Sequence, residues 1–384
     1  VTILHVSADY PDPLASAKTP AIARLLALAP EREHRVYSIN RVGWRQGIHA
    51  LDFDDAAGAG HRAVAYGAPP KGVFLDRFLR RLADWIAEDA ARRGLAPTLI
   101  HAHKLSVEGL VGLRLAERFG APLAVTVQGD SDTKIVGAKR DLRDLYRRVW
   151  RTAAVVLPLA PWATDRLTAV LGPREGPVEP LPCVVGETLL APVETGPVFK
   201  TALHLASAPR KDVAGLIAAV GVAAARIPDI RLEIIGGGDP KAFARLAAAA
   251  DRHAPGRVRF LGVRPGGDVP ALLNGACALA MISKRESFGM VFAEALFAGA
   301  PCLGPRGWGV DGYVRDGEAV LLAPPGDPAA AVEALTRLAR EEAAFKARLK
   351  ALQDNGGLAV FTRAAIGARY RAAMAAIGPA AGAA

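Results

Sequence analysis

SKRESFGMVFAEALFAGAP, residues 283–301, decides the fold of this chain, because it predicts a turn from a buried strand into a helix. An apolar run from Ala276 to Ile282 precedes it and predicts the strand. Gly299 and Pro301 predict the end of the helix, since Gly favours the position after a helix and Pro cannot continue one. We expect the helix to begin near Phe288, with Ser287 as its N-cap.

The start of this helix has the features of an anion-binding site. Its unpaired backbone N–H groups, those of Phe288, Gly289, Met290 and Val291, are predicted to point towards the carboxyl edge of a sheet. Gly289 lets the backbone approach a bulky ligand closely, because it has no side chain. The stretch therefore predicts a bound anion at this edge.

Two glutamates flank the predicted anion site. Glu286 lies just before the helix and Glu294 two turns into it, about 12 Å further along the axis. A nucleotide sugar has hydroxyls at both ends and a diphosphate in the middle, so each carboxylate is placed to accept hydrogen bonds from a pair of hydroxyls. The alternative is a solvated Glu286 and a Glu294 in a surface ion pair. The preceding strand, the helix signals and the Phe-Gly pair favour the ligand site.

The segment from Glu286 to Glu294 resembles the Glu–seven–Glu signature of the retaining glycosyltransferase family four. Residues 298–301, 316–322 and 324–328 are similar to the same family, and the resemblance is strongest from about residue 200 to 345. It implies an α/β protein of the GT-B fold, with two Rossmann-like domains facing each other across a cleft. It also implies a C-terminal helix that crosses back to the first domain.

Length and composition bound the class of protein. The chain has 384 residues, enough for two domains with full cores, and 51% of them are hydrophobic. Its apolar runs are shorter than the roughly 18 to 20 residues that span a bilayer, and its first strand lacks a basic leader, so we expect a cytoplasmic protein. Cys183, Cys277 and Cys302 are scattered and show neither a disulfide framework nor metal-ligand spacing. We therefore predict no metal site.

The net charge of +10 is shared by both halves of the chain, which argues against a nucleic-acid-binding arm. A diffuse positive field suits an anionic nucleotide donor and an anionic membrane surface. Two amphipathic stretches carry much of the basic charge, one from Lys71 to Gly94 and one from Lys139 to Arg151. In the first, Phe74, Phe78, Leu82 and Trp85 are predicted to share one side, with Arg77, Arg80 and Arg81 elsewhere. Core packing explains the apolar sides, and the basic sides are candidates for contact with the inner face of a membrane.

A rise in Pro, Gly and Glu from Gly172 to Pro197 predicts a linker between two domains. We place an N-terminal Rossmann-like acceptor-binding domain at residues 1–185. A C-terminal Rossmann-like nucleotide-sugar-binding domain follows at residues 186–360. Residues 361–384 form the helix that returns to the first domain and a tail.

The resemblance assigns the donor site to the second domain. Lys211 aligns with the lysine that the family places on the donor phosphates, and Arg210 is the candidate substitute for the family's arginine. Gly238 closes a glycine run that borders the nucleotide in the family. Arg264 lies on the loop where the family's base packs, and it is predicted either to stack on the base or to be solvated. The candidate donor-binding residues are Lys211, Arg210, Gly238, Arg264, Glu286, Ser287, Phe288, Gly289, Met290, Val291 and Glu294.

Candidate catalytic residues are Glu286 and Lys211 in the second domain and Gln128 and Asp130 in the first. Gln128 stands where the family commonly has His. Asp130 and Asp132 follow on what we predict to be the same loop, and both are candidates to bind acceptor hydroxyls or to accept a proton. Simple turn chemistry is the alternative for Asp130. The acceptor candidates are Ser16, Lys18, His103 and Asp130, with His103 lining the cleft and His101 a buried structural histidine. A solvated side chain is the alternative for Lys18, whose neighbours replace the family's glycine pair. Trp308 and Tyr313 are predicted either to be buried or to stack on a carbohydrate.

We expect a retaining, metal-independent hexosyltransferase that uses a UDP- or GDP-sugar and no bound cofactor. Its acceptor would be a hydroxyl of a glycan, a polysaccharide, a lipid-linked intermediate or a small metabolite. Stabilisation of the leaving diphosphate would supply most of the catalysis. The alternatives are a non-catalytic subunit of the same fold, a nucleotide-sugar epimerase, and a phosphorylase, although we see no pyridoxal-binding motif. An NAD-binding protein is disfavoured, because Lys241 stands where the third fingerprint glycine would fall.

Overall fold

A computed structural model describes residues 1–15, 18–69 and 72–378 of the chain. It divides into two compact units, Val1–Val184 with Arg363–Ala384, and Val185–Thr362. Each unit is built on one sheet with helices packed against it, which confirms the predicted α/β class. Among the described residues, no helix is both long and apolar enough to cross a membrane.

Unit 1 contains a seven-stranded sheet in the order β3-β4-β2-β1-β5-β6-β7. All neighbouring strands are parallel except β3 and β4, which are antiparallel. The strands are β1 (Thr2–Ser7), β2 (Glu33–Val42), β3 (His49–Asp55), β4 (Gly58–Gly67), β5 (Leu99–Ala102), β6 (Leu123–Val127) and β7 (Val155–Pro158). Buried apolar runs in the central strands explain why they pair on both sides, as parallel strands do in α/β proteins.

The helices of unit 1 are α1 (Ala21–Leu26), α2 (Leu75–Arg92), α3 (Glu108–Phe119), α4 (Asp130–Ala138), α5 (Arg143–Thr152), α6 (Trp162–Leu171) and α14 (Arg363–Ile377). The last of these comes from the C-terminal end of the chain. Ile366, Tyr370 and Met374 of α14 are buried in the same apolar cluster as Ile3 and Leu99 of the sheet. The C-terminal helix is therefore part of the core of unit 1.

Unit 2 contains a six-stranded parallel sheet in the order β10-β9-β8-β11-β12-β13. Its strands are β8 (Val198–Ala202), β9 (Arg231–Ile235), β10 (Val258–Gly262), β11 (Ala278–Ala280), β12 (Cys302–Pro305) and β13 (Val320–Ala323). Its helices are α7 (Ala208–Lys211), α8 (Val213–Ala223), α9 (Pro240–His253), α10 (Val269–Asn274), α11 (Met290–Phe297), α12 (Pro328–Arg340) and α13 (Glu342–Asp354). Strands thus alternate with helices along most of the unit, which is the pattern that builds a parallel sheet.

The prediction for the first basic stretch was wrong at its start. Helix α2 begins at Leu75, because Phe74 has a left-handed backbone (φ 51°) and turns the chain just before the helix. Phe74 is 75% exposed, whereas Leu79, Leu82 and Ile86 form the buried stripe. The predicted first residue, Lys71, lies outside the described residues. In the second basic stretch, Tyr146, Val149 and Trp150 of α5 are buried, in agreement with core packing.

Candidate functional site

The sheet of unit 2 places a crevice between β8 and β11. Strand order runs outward from β8 to β9 and β10 on one side, and from β11 to β12 and β13 on the other. In parallel α/β sheets, ligands bind at the carboxyl ends of the strands where the order reverses in this way. The segments that follow β8 and β11 are residues 203–212, which include the short helix α7, and residues 281–289. These segments contain the most strongly predicted donor residues.

Glu286 is joined to two basic side chains across this crevice. Lys211 Nζ lies 2.7 Å from Glu286 Oε2, and Arg210 Nη1 lies 3.4 Å from Glu286 Oε1. The Glu286 residue is only 5% exposed, and the Arg210 and Lys211 side chains are 35% and 12% exposed. The structure therefore brings together three predicted residues that lie some 75 positions apart in the sequence.

Backbone contacts hold the two loops in register. The N–H of Lys284 donates to the carbonyl of Arg210 at 3.0 Å, and Arg210 Nη1 donates to the carbonyl of Arg285 at 3.1 Å. Behind the carboxylate, the Ser283 hydroxyl lies 3.4 Å from Glu286 Oε2. Sequence reasoning missed Ser283, although it directly follows the strand predicted from Ala276 to Ile282. The site is thus supported by main chain on both sides of the crevice.

The predicted start of α11 was wrong by two residues. The helix begins at Met290, its N-cap is Gly289 with φ +70°, and Ser287 makes no capping bond. Gly289 takes this role because its left-handed backbone turns the chain into the helix without the steric cost that a side chain would carry. Phe288 therefore precedes the helix, and the 12 Å estimate along one helix axis does not apply to Glu286 and Glu294. The N–H groups of Met290 and Val291 remain in the first turn, while that of Phe292 donates to the Gly289 carbonyl at 2.9 Å.

The other donor candidates lie on the neighbouring loops. Gly238 has φ +96°, and a Cβ there would be 2.1 Å from His204 Nε2, so the His204 ring occupies the space over the glycine. A Cβ on Gly237 would lie 2.7 Å from a methyl group of Val263, which places the loop with Arg264 beside the glycine run. Arg264 is exposed. His204 was missed by sequence reasoning, although it follows β8 at the carboxyl edge.

Phe288, which follows Glu286 closely in the sequence, packs against two other aromatic rings. Phe288 is 2% exposed, and its ring centroid lies 6.1 Å from that of Tyr313 and 6.0 Å from that of Phe361. Tyr313 and Trp308 are half-buried, so neither is enclosed in the core. Glu294, on the second turn of α11, is also half-buried. The Phe288 ring is therefore packed in the interior and is not open to a ligand.

In unit 1, the loop predicted for Asp130 and Asp132 is instead the first turn of α4. Asp132 is fully buried and accepts hydrogen bonds from the N–H groups of Ser106 and Gln128, both at 2.9 Å. It joins the loops after β5 and β6 and is not available to an acceptor, which corrects that prediction. The side chains of Gln128 and Asp130 are half-buried, and their catalytic roles stay predictions.

The acceptor candidates differ in their surroundings. Lys18 is not solvated, because its Nζ lies 2.7 Å from Asp12 Oδ2 and 2.9 Å from Ser38 Oγ. Ser16 lies outside the described residues. His103 is 1% exposed and belongs to a buried group of histidines rather than to an open surface, which corrects its predicted place. A contact between His103 and an acceptor stays a prediction.

His5, His34, His101 and His103 form a connected network in the core of unit 1. His5 Nδ1 lies 3.1 Å from His103 Nε2, and His5 Nε2 lies 2.9 Å from His34 Nδ1. His101, predicted to be structural, is fully buried and contacts Thr126 Oγ1 at 2.9 Å and Tyr370 Oη at 3.3 Å. Burial lowers the pKa of His5 and His101 well below the usual value, and it lowers the pKa of His103 to about 3.

This histidine network is also the part of the described chain with metal-ligand geometry. One nitrogen from each of His5, His101 and His103 lies within 4.8 Å of the others. Sequence spacing had predicted no metal site, because the three residues come from two separated segments. Both ring nitrogens of His5 and of His101 already have hydrogen-bonding partners, so these rings are satisfied as neutral imidazoles.

Two family models match the chain. "Glycosyl transferase 4-like domain" matches residues 18–183, and "Glycosyl transferases group 1" matches residues 199–341. Among curated proteins, N-acetyl-alpha-D-glucosaminyl L-malate synthase of Bacillus anthracis is 31% identical over 114 residues, which is 30% of this chain and 29% of that protein. Phosphatidyl-myo-inositol mannosyltransferase of Mycobacterium leprae is 34% identical over 146 residues, 37% of this chain and 38% of that protein. The chain thus matches well under half the length of these relatives.

Solved structures resemble the whole chain. Sucrose-phosphate synthase from Thermosynechococcus elongatus superposes with a TM-score of 0.73 at 20% identity, and the match covers 98% of this chain and 100% of that one. This similarity shows the fold, and the two family models account for most of the sequence. The chain therefore belongs to the group 1 glycosyl transferases and has the GT-B fold, as its Glu286-to-Glu294 segment predicted.

Proposed function

We propose that this chain is a glycosyltransferase that moves a glycosyl group from a nucleotide-diphosphate sugar to a hydroxyl acceptor. The observation that carries the proposal is the contact of Lys211 and Arg210 with Glu286 at the strand-order reversal of unit 2. Two cations beside one carboxylate suit a ligand that has both phosphates and hydroxyls. Family membership supports the same activity.

In this proposal, Lys211 binds the diphosphate through the charge of its ammonium group. Arg210 binds it through the hydrogen-bond donors of its planar guanidinium group. The backbone N–H groups around Gly289, together with those of Met290 and Val291, add the partial positive charge of a helix N-terminus. Stabilising the charge that develops on the leaving diphosphate supplies most of the rate enhancement. No step requires a titrating base on the donor side.

Glu286 then accepts hydrogen bonds from the hydroxyls of the transferred sugar, and Glu294 from those of the ribose. Ser287 and Phe288 contribute main-chain contacts. Gly238, which lies against the His204 ring, borders the nucleotide, and Arg264 stacks on the base. Gln128 and Asp130 lie on the acceptor side and take part in the reaction there. Lys18, Ser16 and His103 are proposed to bind the acceptor. The acceptor-binding role of residues 1–185 and the donor-binding role of residues 186–360 belong to this proposal.

The experiment that tests the donor site is a thermal shift with UDP, GDP, ADP and TDP, alone and as sugar conjugates. A nucleotide at 100 times its dissociation constant is expected to add about 2.7 kcal/mol of stability. Lys211→Met is expected to abolish that gain, whereas the surface variant Lys350→Met keeps it. Stabilisation by no nucleotide would contradict the proposal, and nucleotide binding without transfer to any acceptor would favour a non-catalytic subunit.

We further propose that transfer retains the anomeric configuration and needs no metal. Family resemblance supports retention of the configuration. Independence from a metal is supported by the same resemblance and by a candidate donor site in which side chains and backbone supply the positive charge. NMR of the product anomer tests the first, because an inverted anomer excludes it. Assays with and without EDTA test the second, since a loss of activity that Mg²⁺ or Mn²⁺ restores would show that a metal takes part.

A basic and aromatic surface on unit 1 supports peripheral binding to an anionic membrane, which we also propose. Trp44 is 54% exposed and Phe74 is 75% exposed, and Arg77 and Arg81 on α2 are exposed as well. Trp44 and Arg81 line one small pocket, so the loop at Trp44 lies against the basic helix. Aromatic rings with adjacent cations suit the boundary between lipid headgroups and acyl chains.

Cosedimentation with vesicles tests this surface. The protein is expected to pellet with phosphatidylcholine vesicles that contain phosphatidylglycerol, and less with phosphatidylcholine alone. The double variant Arg77→Glu/Arg81→Glu is expected to stay in the supernatant, while Arg252→Glu, on a helix of unit 2, pellets like the wild type. Equal pelleting with both kinds of vesicle would contradict an electrostatic contact.

A further inference from the structure

The strand order of unit 1 reverses between β1 and β5, and we call the carboxyl end of this point the crevice of unit 1. The chain runs from β1 to β2 on one side of this point and from β5 to β6 and β7 on the other. The carboxyl ends of β1 and β5 are followed by residues 8–12 and 103–107, so these two loops lie on either side of the crevice. Such a position favours a ligand for the same reason as in unit 2.

Charged side chains from both sides meet there. Lys104 Nζ lies 2.7 Å from Asp9 Oδ2 and 3.7 Å from Glu108 Oε1. Glu108 Oε1 also accepts a hydrogen bond of 2.9 Å from the N–H of Ala8. The Asp9 and Lys104 side chains are 31% and 13% exposed, so the pair is open to solvent at one end.

Glu108 is the unusual member of this group. Its side chain is fully buried, and its Oε2 atom has no hydrogen-bonding partner among the residues that the structure describes. Buried carboxylate oxygens normally have a partner, since leaving one without costs the desolvation energy of the group. Glu108 Oε2 thus marks an unfilled hydrogen-bonding position beside the Lys104–Asp9 pair.

A second lysine beside the first loop is neutralised in the same way. Lys18 is paired with Asp12, whose Oδ2 also accepts hydrogen bonds from Ser38 Oγ at 2.6 Å and Asn40 Nδ2 at 2.9 Å. The Lys18 side chain is 12% exposed and that of Asp12 is fully buried. Both lysines near the crevice therefore have an aspartate in direct contact, and Glu108 adds a further carboxyl group.

The net charge of the crevice depends on the ionisation of Glu108 and Lys104. Burial raises the pKa of Glu108 to about 7, although Lys104 opposes the shift. Burial alone would lower the pKa of Lys104, but Glu108 and Asp9 outweigh it and raise that pKa overall. Lys104 therefore stays charged at neutral pH in contact with the Asp9 carboxyl group, and Glu108 titrates near neutrality. The crevice has no excess of positive charge to offer an anion.

We infer that this crevice binds the acceptor of the proposed transfer, and that this acceptor is an uncharged polyhydroxy compound rather than a phosphate or carboxylate ester. Hydroxyls can donate to the partly exposed Asp9 carboxylate while they accept from Lys104, and the buried Glu108 adds negative charge beside them. A phosphate would have to displace Asp9 from Lys104 and would then lie beside repelling carboxylates. The inference rests on the proposed function, and it separates this chain from the relative whose name includes L-malate, a dicarboxylate.

Matched ligand pairs test the inference by direct binding. Glucose is compared with glucose 6-phosphate, and myo-inositol with its 1-phosphate, by saturation-transfer NMR and calorimetry on the full chain, with and without UDP. The uncharged member of at least one pair is expected to bind at least tenfold more tightly than its phosphate. Tighter binding of the phosphates would overturn the inference, and so would binding of neither member to protein that binds UDP.

A charge variant checks which residues are responsible. Asp9→Asn leaves Lys104 without its charged partner, so the affinity for the phosphorylated member is expected to rise at least tenfold, with less than threefold change for the uncharged one. Asp144→Asn, on the exposed side of α5, is the control and is expected to change neither. An unchanged preference in Asp9→Asn would also overturn the inference. Binding of uncharged ligands to protein that fails to bind UDP would instead contradict the donor proposal alone.

Discussion

At the scale of single residues, the candidate donor site depends on backbone geometry as much as on charge. Gly289 adopts φ +70° and precedes α11, and a Cβ there would lie 2.6 Å from Phe292 Cδ2 and 3.0 Å from Glu286 Cγ. Any side chain at this position therefore disturbs both the helix start and the carboxylate that we assign to the sugar. This glycine lies at the junction between the strand loop and the helix.

Gly289→Ala is expected to lower the stability of unit 2 by about 1–3 kcal/mol, because the left-handed backbone is strained for alanine and the methyl group overlaps Phe292. It is also expected to remove nucleotide-dependent stabilisation. Urea unfolding and thermal shift with the nucleotide measure the two effects. Gly267→Ala is the control, since a Cβ at Gly267 meets nothing within 4 Å. Equal stability of the two variants would show that the turn tolerates a side chain.

At the scale of elements, each unit places its candidate groups at the carboxyl edge through short strand-to-helix connections. Helix α9 shows how the chain specifies such a connection, since Asp239 Oδ1 accepts hydrogen bonds from the N–H groups of Lys241 and Ala242, both at 3.0 Å. Pro240 occupies the first position of the helix, where its missing N–H costs nothing. The glycine run that borders the proposed nucleotide site directly precedes this cap.

Asp239→Ala is expected to destabilise unit 2 by about 1 kcal/mol, because two N–H groups at the helix start lose their acceptor. Asp239→Asn keeps an acceptor oxygen and is expected to recover most of the loss. The urea midpoint of the two variants, compared with that of the wild type, measures the cap. A loss of equal size in both would mean that the charge, rather than the hydrogen bonds, stabilises the helix.

At the scale of the whole molecule, the histidine network makes unit 1 sensitive to acid. Burial lowers the pKa of His5, His34, His101 and His103, while histidines of the unfolded chain titrate near 6.5. The unfolded state therefore takes up protons below pH 6.5 that the folded state does not. The stabilisation is complete above pH 6.5 and decreases by about 1.4 kcal/mol per pH unit for each histidine that stays neutral.

Urea unfolding followed by tryptophan fluorescence is expected to show a lower midpoint at pH 5.5 than at pH 7.5. Trp44, Trp85, Trp150 and Trp162 lie in unit 1, so the signal reports mainly on that unit. Glu108 opposes the change, since its raised pKa adds stability as the pH falls below about 7, but it is a single group against four histidines. His103→Asn is expected to weaken the pH dependence, and His49→Gln, at an exposed position, to leave it unchanged. An unchanged midpoint in the wild type would contradict the prediction.

The sequence by itself determined the fold and the outline of the candidate donor site, because both depend on local pattern. The apolar run before Glu286, the glycines at 289 and 299 and the strand before Lys211 are each visible within some twenty residues. Prediction from the sequence failed where the outcome depended on exact backbone geometry. Ser287, for example, does not cap α11. Prediction also failed for Asp132, whose acceptor role is excluded by burial between two loops.

Only the tertiary structure decided which distant residues meet. Pairing of β1 with β5 sets His5 beside His101 and brings the loop of Asp9 to Lys104 and Glu108, about a hundred residues further along the chain. Pairing of β8 with β11 likewise brings Lys211 to Glu286. Strand order joins segments whose separation in sequence carries no periodic signal, so no reading of neighbouring residues reveals these groups. The chemistry of each group is set by its own side chains, and the contacts within each group are set by the order of the strands.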